Sequence, residues 1–554
     1  MDLCIRIAGE AGQGVQTTGN LLVGALSGMG LHVVATQSYM SRIRGGLNWF
    51  DVRIGDAELW AGREKADLLV ALTDTALQTL GGDLAPNAVA LHDGAAGDDV
   101  IGIRLAQIAK ETGGSPVMAN TVAAGAVYAV LGYDVDGLCR YLAGQFEKKG
   151  GEVAEENVRC ARKGAEAAAQ YARRLPGPPA GSAPAYLIDG ASAIGLAAAT
   201  AGVKLVSAYP MTPGTATFTY LAAAADRFGI VVEQAEDEIA AVNMICGATY
   251  AGIPAMATTS GGGFALMVEG LSLAGMMELP IFLVVAQRPG PATGLPTRTA
   301  QQDLRFAISA GHGELPRAVY APGTVRQCFD LTRVALETAH KYQTPTILLT
   351  DQFLQDLRKN IDPLDERPRP IDRRLAAEAG GDYVRYAVTE SGVSPRAIPG
   401  GDAFVVCDSD EHNGAGHITE DLNAHVAQQD KRMRKRQGMT AEALPPEPYG
   451  PDGAETLLIC WGSTCGPCRE AVDALNAAGG SAGMLHFAQV HPLNVEAAGS
   501  AIGPRRRVCC VEGNATGQFA SILREAGLVG ECELVVRYDG LPFTGEHIVS
   551  KIEQ

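Results

Sequence analysis

The sequence has no closely spaced cysteine series that could hold a cubane iron–sulfur cluster, so it is not expected to carry one itself. Its twelve cysteines are scattered over 554 residues, too thinly for a disulfide framework, and read as small buried thiols of a reducing compartment. There is no excess of positive charge. A net charge of -17 opposes non-specific attraction to nucleic acid or anionic membrane, although Arg505, Arg506 and Arg507 form a local basic patch. No basic stretch and long apolar run follow Met1, so no secretory signal is read there. The most apolar region, Phe264 to Ala286, is interrupted by Glu269, Glu278 and Pro280 and reads as buried strand and helix, not a membrane span. A cytoplasmic, globular chain is expected.

What is present is apolar material in quantity. Hydrophobic residues make up 47% and charged residues 19%, enough for packed cores, and the length predicts several domains. The run Leu3 to Ala8, the glycine turn Gly9 to Gly14 and a helical stretch Val15 to Met29 read as strand, turn and helix. Further apolar runs at Leu31 to Ala35 and Asp67 to Leu72 predict a parallel sheet with crossover helices in residues 1–174. The Pro- and Gly-rich stretch Leu175 to Pro184 reads as a linker, taken as 175–185. Runs at Leu205 to Tyr209, Ile230 to Glu233, Pro254 to Thr259, Pro280 to Gln287 and Pro345 to Thr350 predict a second, doubly wound α/β domain over 186–365. Residues 366–450 are charged, Pro-rich and weakly periodic, including the Asp430 to Arg436 string, and read as an extended connection that wraps a neighbour or, equally, as a partly solvated linker. Strands at Thr456 to Trp461, Gly483 to Phe487, Arg507 to Val511 and Glu533 to Val536 predict a third, smaller α/β domain over 451–554.

Six stretches carry candidate chemistry. Gly9, Gly12 and Gly14, with Gln13 between them, stand where a strand meets a helix start; backbone N–H groups there suit a phosphate, or the turn is simply tight. The order of glycines is not the dinucleotide fingerprint, which disfavours a nicotinamide cofactor; Ser41 and Arg42 add polar and cationic groups nearby, and a diphosphate ligand such as coenzyme A suits both. In Tyr209-Pro210-Met211-Thr212-Pro213, two prolines stiffen the turn and present the Thr212 hydroxyl, as substrate donor or helix cap. Glu238 opens the small-residue helix Ile239 to Ala248; a carboxyl held out of water there has a raised pKa and can exchange protons with a heterocycle, or the acids serve the helix dipole. Ser260, Gly261 and Gly262 let a flat or phosphorylated ligand touch backbone. Arg288 and Arg298, in a rigid Pro/Gly-rich loop, either pair with a substrate carboxylate or brace an interface. Cys465-Gly-Pro-Cys468 has dithiol-oxidoreductase spacing but lies in a late domain of another pattern.

Together these stretches resemble the α subunit of 2-oxoacid:ferredoxin oxidoreductases, in the 2-oxoglutarate type with a γ module fused in front. The resemblance covers nearly the whole chain, and its specific strings are Tyr-Pro-x-Thr-Pro from Tyr209 and Gly-Leu-Pro-Thr-Arg from Gly294. Glu411 to Asp421, Trp461 to Thr464 and Val511 to Gln518 resemble further stretches of that family. The resemblance implies a γ-type α/β domain, a thiamine-pyrimidine-type doubly wound domain and a C-terminal transketolase-like domain. It implies that Glu238 hydrogen-bonds the aminopyrimidine of thiamine diphosphate, with Tyr209, Pro210 and Ser260 to Gly262 beside it, and that Thr212 and Arg288 or Arg298 bind the 2-oxoacid. Coenzyme A belongs with Gly9 to Gly14, Ser41 and Arg42. Since no Gly-Asp-Gly occurs here, magnesium and the [4Fe-4S] cluster are expected on a β subunit, in a dimer of αβ units that reduces ferredoxin. The departures are Met211, Gly214, Ala11 and the Cys465/Cys468 pair. A non-catalytic CoA- or partner-binding chain and a thiol-disulfide oxidoreductase remain as alternatives.

Overall fold

Alternating short apolar runs and helical stretches assemble into three sheets in the computed structural model, which describes residues 1–40, 45–94, 96–97, 99–113, 115–172, 184, 186–376, 380 and 383–554. The chain divides into two units, Met1–Ile188 with Asp356–Pro363, and Asp189–Gln355 with Leu364–Gln554. Nearly all of the expected linker 175–185 lies outside the described residues. Among the described residues no helix is long and apolar enough to cross a membrane.

The first unit holds an eight-stranded sheet, ordered Val100–Gly102, Leu84–His92, Ala66–Ala71, Asp2–Glu10, Leu47–Gly55, His32–Ser38, Arg358–Ile361 and Tyr186–Asp189. The parallel sheet expected for this segment is a correction. Asp2–Glu10 runs parallel to Ala66–Ala71, but Leu47–Gly55 is antiparallel to both Asp2–Glu10 and His32–Ser38. A strand-to-strand return without a crossover helix permits this arrangement. The strand Leu47–Gly55 carries charges among its apolar residues, and one is buried in a pair: Arg6 donates to Asp51 at 2.8 and 2.9 Å, across the strand register. The segment 356–363, placed by its sequence position in the second domain, instead adds a strand here. Asn360 secures it by donating to Leu31 O at 2.7 Å and accepting from Val33 N at 2.9 Å. The helices Val15–Ser27 and Ala119–Leu131 pack on the sheet around Leu22, Leu26, Val52, Val70 and Tyr128.

The second unit contains a seven-stranded sheet ordered Gln489–His491, Ala318–Tyr320, Thr346–Asp351, Phe282–Gln287, Ala255–Thr259, Leu205–Ala208 and Val231–Gln234. Its pairs are parallel except where Gln489–His491 joins the edge. A five-stranded sheet follows, ordered Glu447–Tyr449, Ala482–Phe487, Thr456–Trp461, Arg507–Glu512 and Glu533–Val536. One core runs through both, from Leu283 and Leu349 to Trp461 and Phe519, as parallel strands covered on both faces require. The expected strands of these two domains are found within one or two residues of their predicted ends. The connection 366–450 is not extended throughout: Leu422–Ala441 is a helix of 20 residues, capped by Asp421. Its Lys431 and Lys435 are fully buried and both pair with Glu278, a partner far away in sequence.

Candidate active site

The strands of the seven-stranded sheet end in the turns that carry the candidate residues, as is usual for ligand sites in open parallel sheets. After Val231–Gln234, Asp237 caps the helix Glu238–Tyr250 by accepting from Ala240 N at 2.8 Å, which leaves Glu238 at the first helical position. Glu238 is 2% exposed, and its Oε1 has no hydrogen-bond partner among the described residues. Burial pushes this carboxyl above the usual range, and the neighbouring charge of Asp237 adds to the effect. A buried acceptor left unmatched costs about 1–3 kcal/mol, a cost that persists in a fold when a ligand uses it.

The turn after Ala255–Thr259 lies against this carboxyl. A β-carbon at Gly263 would stand 2.4 Å from Glu238 Oε1 and 2.1 Å from Thr259 Oγ1, so only glycine fits. Gly263→Ala is therefore expected to displace the carboxylate and cost roughly 1–3 kcal/mol from overpacking. Activity and the thermal unfolding midpoint of the variant would report both effects, and an unchanged pair would exclude this packing. Ser260 is fully buried with its Oγ unpartnered among the described residues. Gly262 is exposed, and the nearest atoms to a β-carbon there would be Ala292 O and Met211 Sδ, 3.7 and 3.9 Å away.

Those atoms bring in the two proline-rich loops. Tyr209 is 41% exposed and Pro210 is exposed beside it, while the turn packs under the next strand through Thr258 Oγ1, which donates to Gly214 O at 3.0 Å. Arg288 Nη1 donates to Thr212 O at 2.7 Å. Thus Glu238, Ser260, Gly261, Gly262, Thr212 and Arg288 are gathered around one set of strand ends. Arg298 stands apart: its side chain packs on Gly540, and Thr299 N donates to Gly540 O at 3.1 Å. The loop between the arginines is wired to the C-terminal sheet through Gln301, which donates to Trp461 O at 2.8 Å and accepts from Gly513 N at 2.8 Å.

Sequence reasoning passed over Asp303, whose placement before an apolar helix reads as an ordinary cap. A β-carbon at Gly261 would stand 2.3 Å from Asp303 Oδ2, which puts a second carboxyl at the Ser260–Gly263 turn.

In the first unit, Gly14 begins the helix Val15–Ser27 without a side-chain cap, which leaves its first N–H groups open to an anion. Gln13 Oε1 accepts from Glu10 N at 2.7 Å and braces the turn. Gly12, at φ 92°, faces open space, whereas a β-carbon at Gly14 would stand 2.0 Å from the Asn120 amide. Gly9 is also tight, though less so, with Gln13 Oε1 2.8 Å from its would-be β-carbon. Ser41 and Arg42 lie outside the described residues.

The Cys465 and Cys468 thiols are fully buried in the core of the C-terminal sheet, and burial raises the Cys465 thiol. A dithiol exchanging with substrate needs access and thiolate character. The protein is accordingly expected to leave insulin unreduced in a turbidity assay; reduction that disappears in Cys465→Ser would overturn this. Cys509 and Cys510 are buried on a strand, as expected.

Two family models match: "Pyruvate ferredoxin/flavodoxin oxidoreductase" over residues 4–167 and "Pyruvate flavodoxin/ferredoxin oxidoreductase, thiamine diP-bdg" over 196–431. The chain is 30% identical to a 2-oxoacid:ferredoxin oxidoreductase subunit alpha of Sulfolobus sp, covering 98% of this chain and 95% of that one. It is 29% identical to the 2-oxoglutarate oxidoreductase subunit KorA of Mycobacterium tuberculosis, covering 99% and 90%. A solved 2-oxoglutarate:ferredoxin oxidoreductase from Magnetococcus marinus, with 2-oxoglutarate, coenzyme A and succinyl-CoA bound, superposes with a TM-score of 0.92 at 32% identity over 100% of this chain and 99% of that one.

Proposed function

Because this chain belongs to the α subunits of the 2-oxoacid:ferredoxin oxidoreductases, we propose that the Glu238 pocket is one wall of a thiamine diphosphate site completed by a β subunit. There a 2-oxoacid, 2-oxoglutarate foremost, is oxidatively decarboxylated to its CoA thioester and carbon dioxide, with the electrons passing to ferredoxin. The observation that carries this reading is the buried Oε1 of Glu238, without a hydrogen-bond partner among the described residues, set against Gly263 beside the Thr212 and Arg288 turns.

The residues fit the aminopyrimidine end of the cofactor. Glu238, with its raised pKa, can hold a proton at Oε1 against a ring nitrogen and give it back. The Ser260–Gly262 turn, open at Gly262, admits a flat ring, and Tyr209 and Pro210 present an exposed rigid edge beside it. Thiamine diphosphate, when bound, supplies the nucleophilic carbon and electron sink that decarboxylation requires. Arg288, anchored by one N–H on Thr212 O and making no ion pair among the described residues, keeps further donors for a substrate carboxylate. Thr212 brings its hydroxyl to the same turn. Arg298, which packs on Gly540, serves in this reading to brace the loop.

Coenzyme A is assigned to the turn Gly9, Gly12, Gln13, Gly14, where an uncapped helix start favours a phosphate; Ser41 and Arg42 keep their assignment to it. Magnesium and the [4Fe-4S] cluster belong to the β subunit, and we take the assembly to be a cytoplasmic dimer of αβ units, consistent with twelve free thiols. The test is co-expression with the β subunit and anaerobic reduction of methyl viologen with a panel of 2-oxoacids, with and without CoA. CoA-dependent reduction with one preferred 2-oxoacid is expected. No reduction by a complex that retains thiamine diphosphate and cluster would leave a CoA- or partner-binding role.

A further inference from the structure

Asp303 occupies the cap position of the helix Leu304–Ser309 but gives it no side-chain cap. Aspartate there ordinarily accepts from an early helix N–H, a contribution of about 1 kcal/mol. Instead its carboxyl lies against Gly261. Oδ2 is closed off from solvent and has no hydrogen-bond partner among the described residues. The backbone that aims it is held firmly. Asp303 N donates to Gln287 Oε1 at 2.9 Å, Gly290 N donates to Gln302 Oε1 at 3.0 Å, and Gln518 Nε2 donates to Gln302 O at 2.7 Å. Three contacts fix the backbone around a carboxyl whose buried Oδ2 then meets no donor among the described residues, which marks a group kept for a ligand.

We infer that Asp303 is a specificity-determining residue that sets the charge of the 2-oxoacid subsite: neutral, it leaves Arg288 to the substrate carboxylate; ionised, it opposes that carboxylate. The inference rests on the pocket reading given above and adds to it a residue and a pH dependence. The charges around Asp303 are few. Arg288, at the end of the neighbouring strand, favours its ionised form, and Glu238 lies beyond Gly263 on the other side of the turn. Arg305, on its own helix, is committed to Glu525 and Ser521. Burial outweighs Arg288 and lifts the Asp303 carboxyl to about 6.

The sign follows from linkage. If a substrate anion binds with the protonated form, binding takes up a proton, and affinity falls as pH rises through the carboxyl's value. Glu238 acts at the ring nitrogen and does not face the substrate carboxylate, so its titration belongs to kcat and the Asp303 titration to KM.

The experiment measures KM for 2-oxoglutarate between pH 5.5 and 8 in the co-expressed αβ complex, at saturating CoA, for wild type, Asp303→Asn and Asp303→Glu. Wild-type KM is expected to rise with pH, approaching about tenfold per pH unit above 6, as one coupled proton requires. Asp303→Asn should flatten that rise and lower KM at pH 7.5, and Asp303→Glu should keep the rise. A flat wild-type profile, or the same slope in Asp303→Asn, overturns the role of Asp303 while leaving the pocket reading intact. If Asp303→Asn does not fold, the wild-type and Asp303→Glu slopes decide. A loaded wild-type complex that is inactive with every 2-oxoacid overturns the pocket reading, and this inference with it.

Discussion

Replacing Glu238 by glutamine is expected to lower kcat of the assembled enzyme by about 10²–10⁴-fold, the usual contribution of a positioned general acid–base group. Glutamine keeps the volume and the packing against Gly263 but cannot exchange a proton. The fold should tolerate it, because Oε1 makes no hydrogen bond that the change would break among the described residues. Substituting alanine would be a poorer test: it opens space against Gly263 and confounds lost chemistry with lost packing. The variant should retain thiamine diphosphate through gel filtration with the β subunit, and its unfolding midpoint should match wild type. Anaerobic methyl viologen reduction then isolates the proton. A Glu238→Gln complex that keeps its cofactor and works within about threefold of wild type would remove Glu238 from acid–base work. The effect should fall on kcat and on kcat/KM equally, because the group acts only as the reaction proceeds.

How much of this was legible in the sequence depended on whether a residue's partner lay near it in the chain. Nine of the twelve strands of the seven- and five-stranded sheets announce themselves as short apolar runs, and their observed ends agree within one or two residues, whereas the three-residue strands Ala318–Tyr320, Gln489–His491 and Glu447–Tyr449 are too short to give that signal. The Glu238 site was legible too, since an acid opening a small-residue helix is a local pattern. The strand Leu47–Gly55 was not. Its Asp51 and Arg53 look like surface residues until the neighbouring strand supplies Arg6 as a buried partner for Asp51 and Asp2 as a partner for Arg53. The missing strand made two parallel neighbours appear where the sheet turns antiparallel. The strand Arg358–Ile361 is short and charged for the same reason: Lys359 lies over the Trp60 ring at 3.7 Å and pairs with Glu58. Asp303 was hidden differently. Its local pattern has a sufficient local explanation, helix capping, and only the packing of Gly261 reveals that the side chain turns elsewhere.

Glu278→Ala is expected to destabilise the second unit by about 3–5 kcal/mol, the cost of leaving buried charge without its counterpart. Glu278 sits just ahead of the strand Phe282–Gln287, 1% exposed, and accepts from Lys431 at 2.6 Å and pairs with Lys435 at 2.5 Å. Its backbone has φ 52°, a left-handed conformation that a residue with a β-carbon holds at a cost of about 1 kcal/mol, offset here by the two ion pairs. Lys431 also donates to Ser394 Oγ, and Lys435 to Gln343 O, so the lysines tie the helix Leu422–Ala441 to several elements at once. Removing the carboxylate leaves two buried ammonium groups that must deprotonate or draw in water. Burial works against the Glu278 charge, but Lys435 and then Lys431 hold the carboxyl down at about 2. A folded value below the unfolded one means this stabilisation is present above the ordinary carboxylate range and is lost as pH falls towards 2. Burial pulls Lys431 down to about 8, a cost to its charged form, so stability rises with pH a second time, from 8 towards the ordinary lysine value. Replacing all three charges, Glu278→Leu with Lys431→Met and Lys435→Met, should recover most of the loss, since apolar groups of similar volume replace such clusters without penalty. Urea unfolding midpoints of the three proteins at pH 7 decide the matter. An alanine variant within about 1 kcal/mol of wild type would mean that the helix is held by packing and not by Glu278.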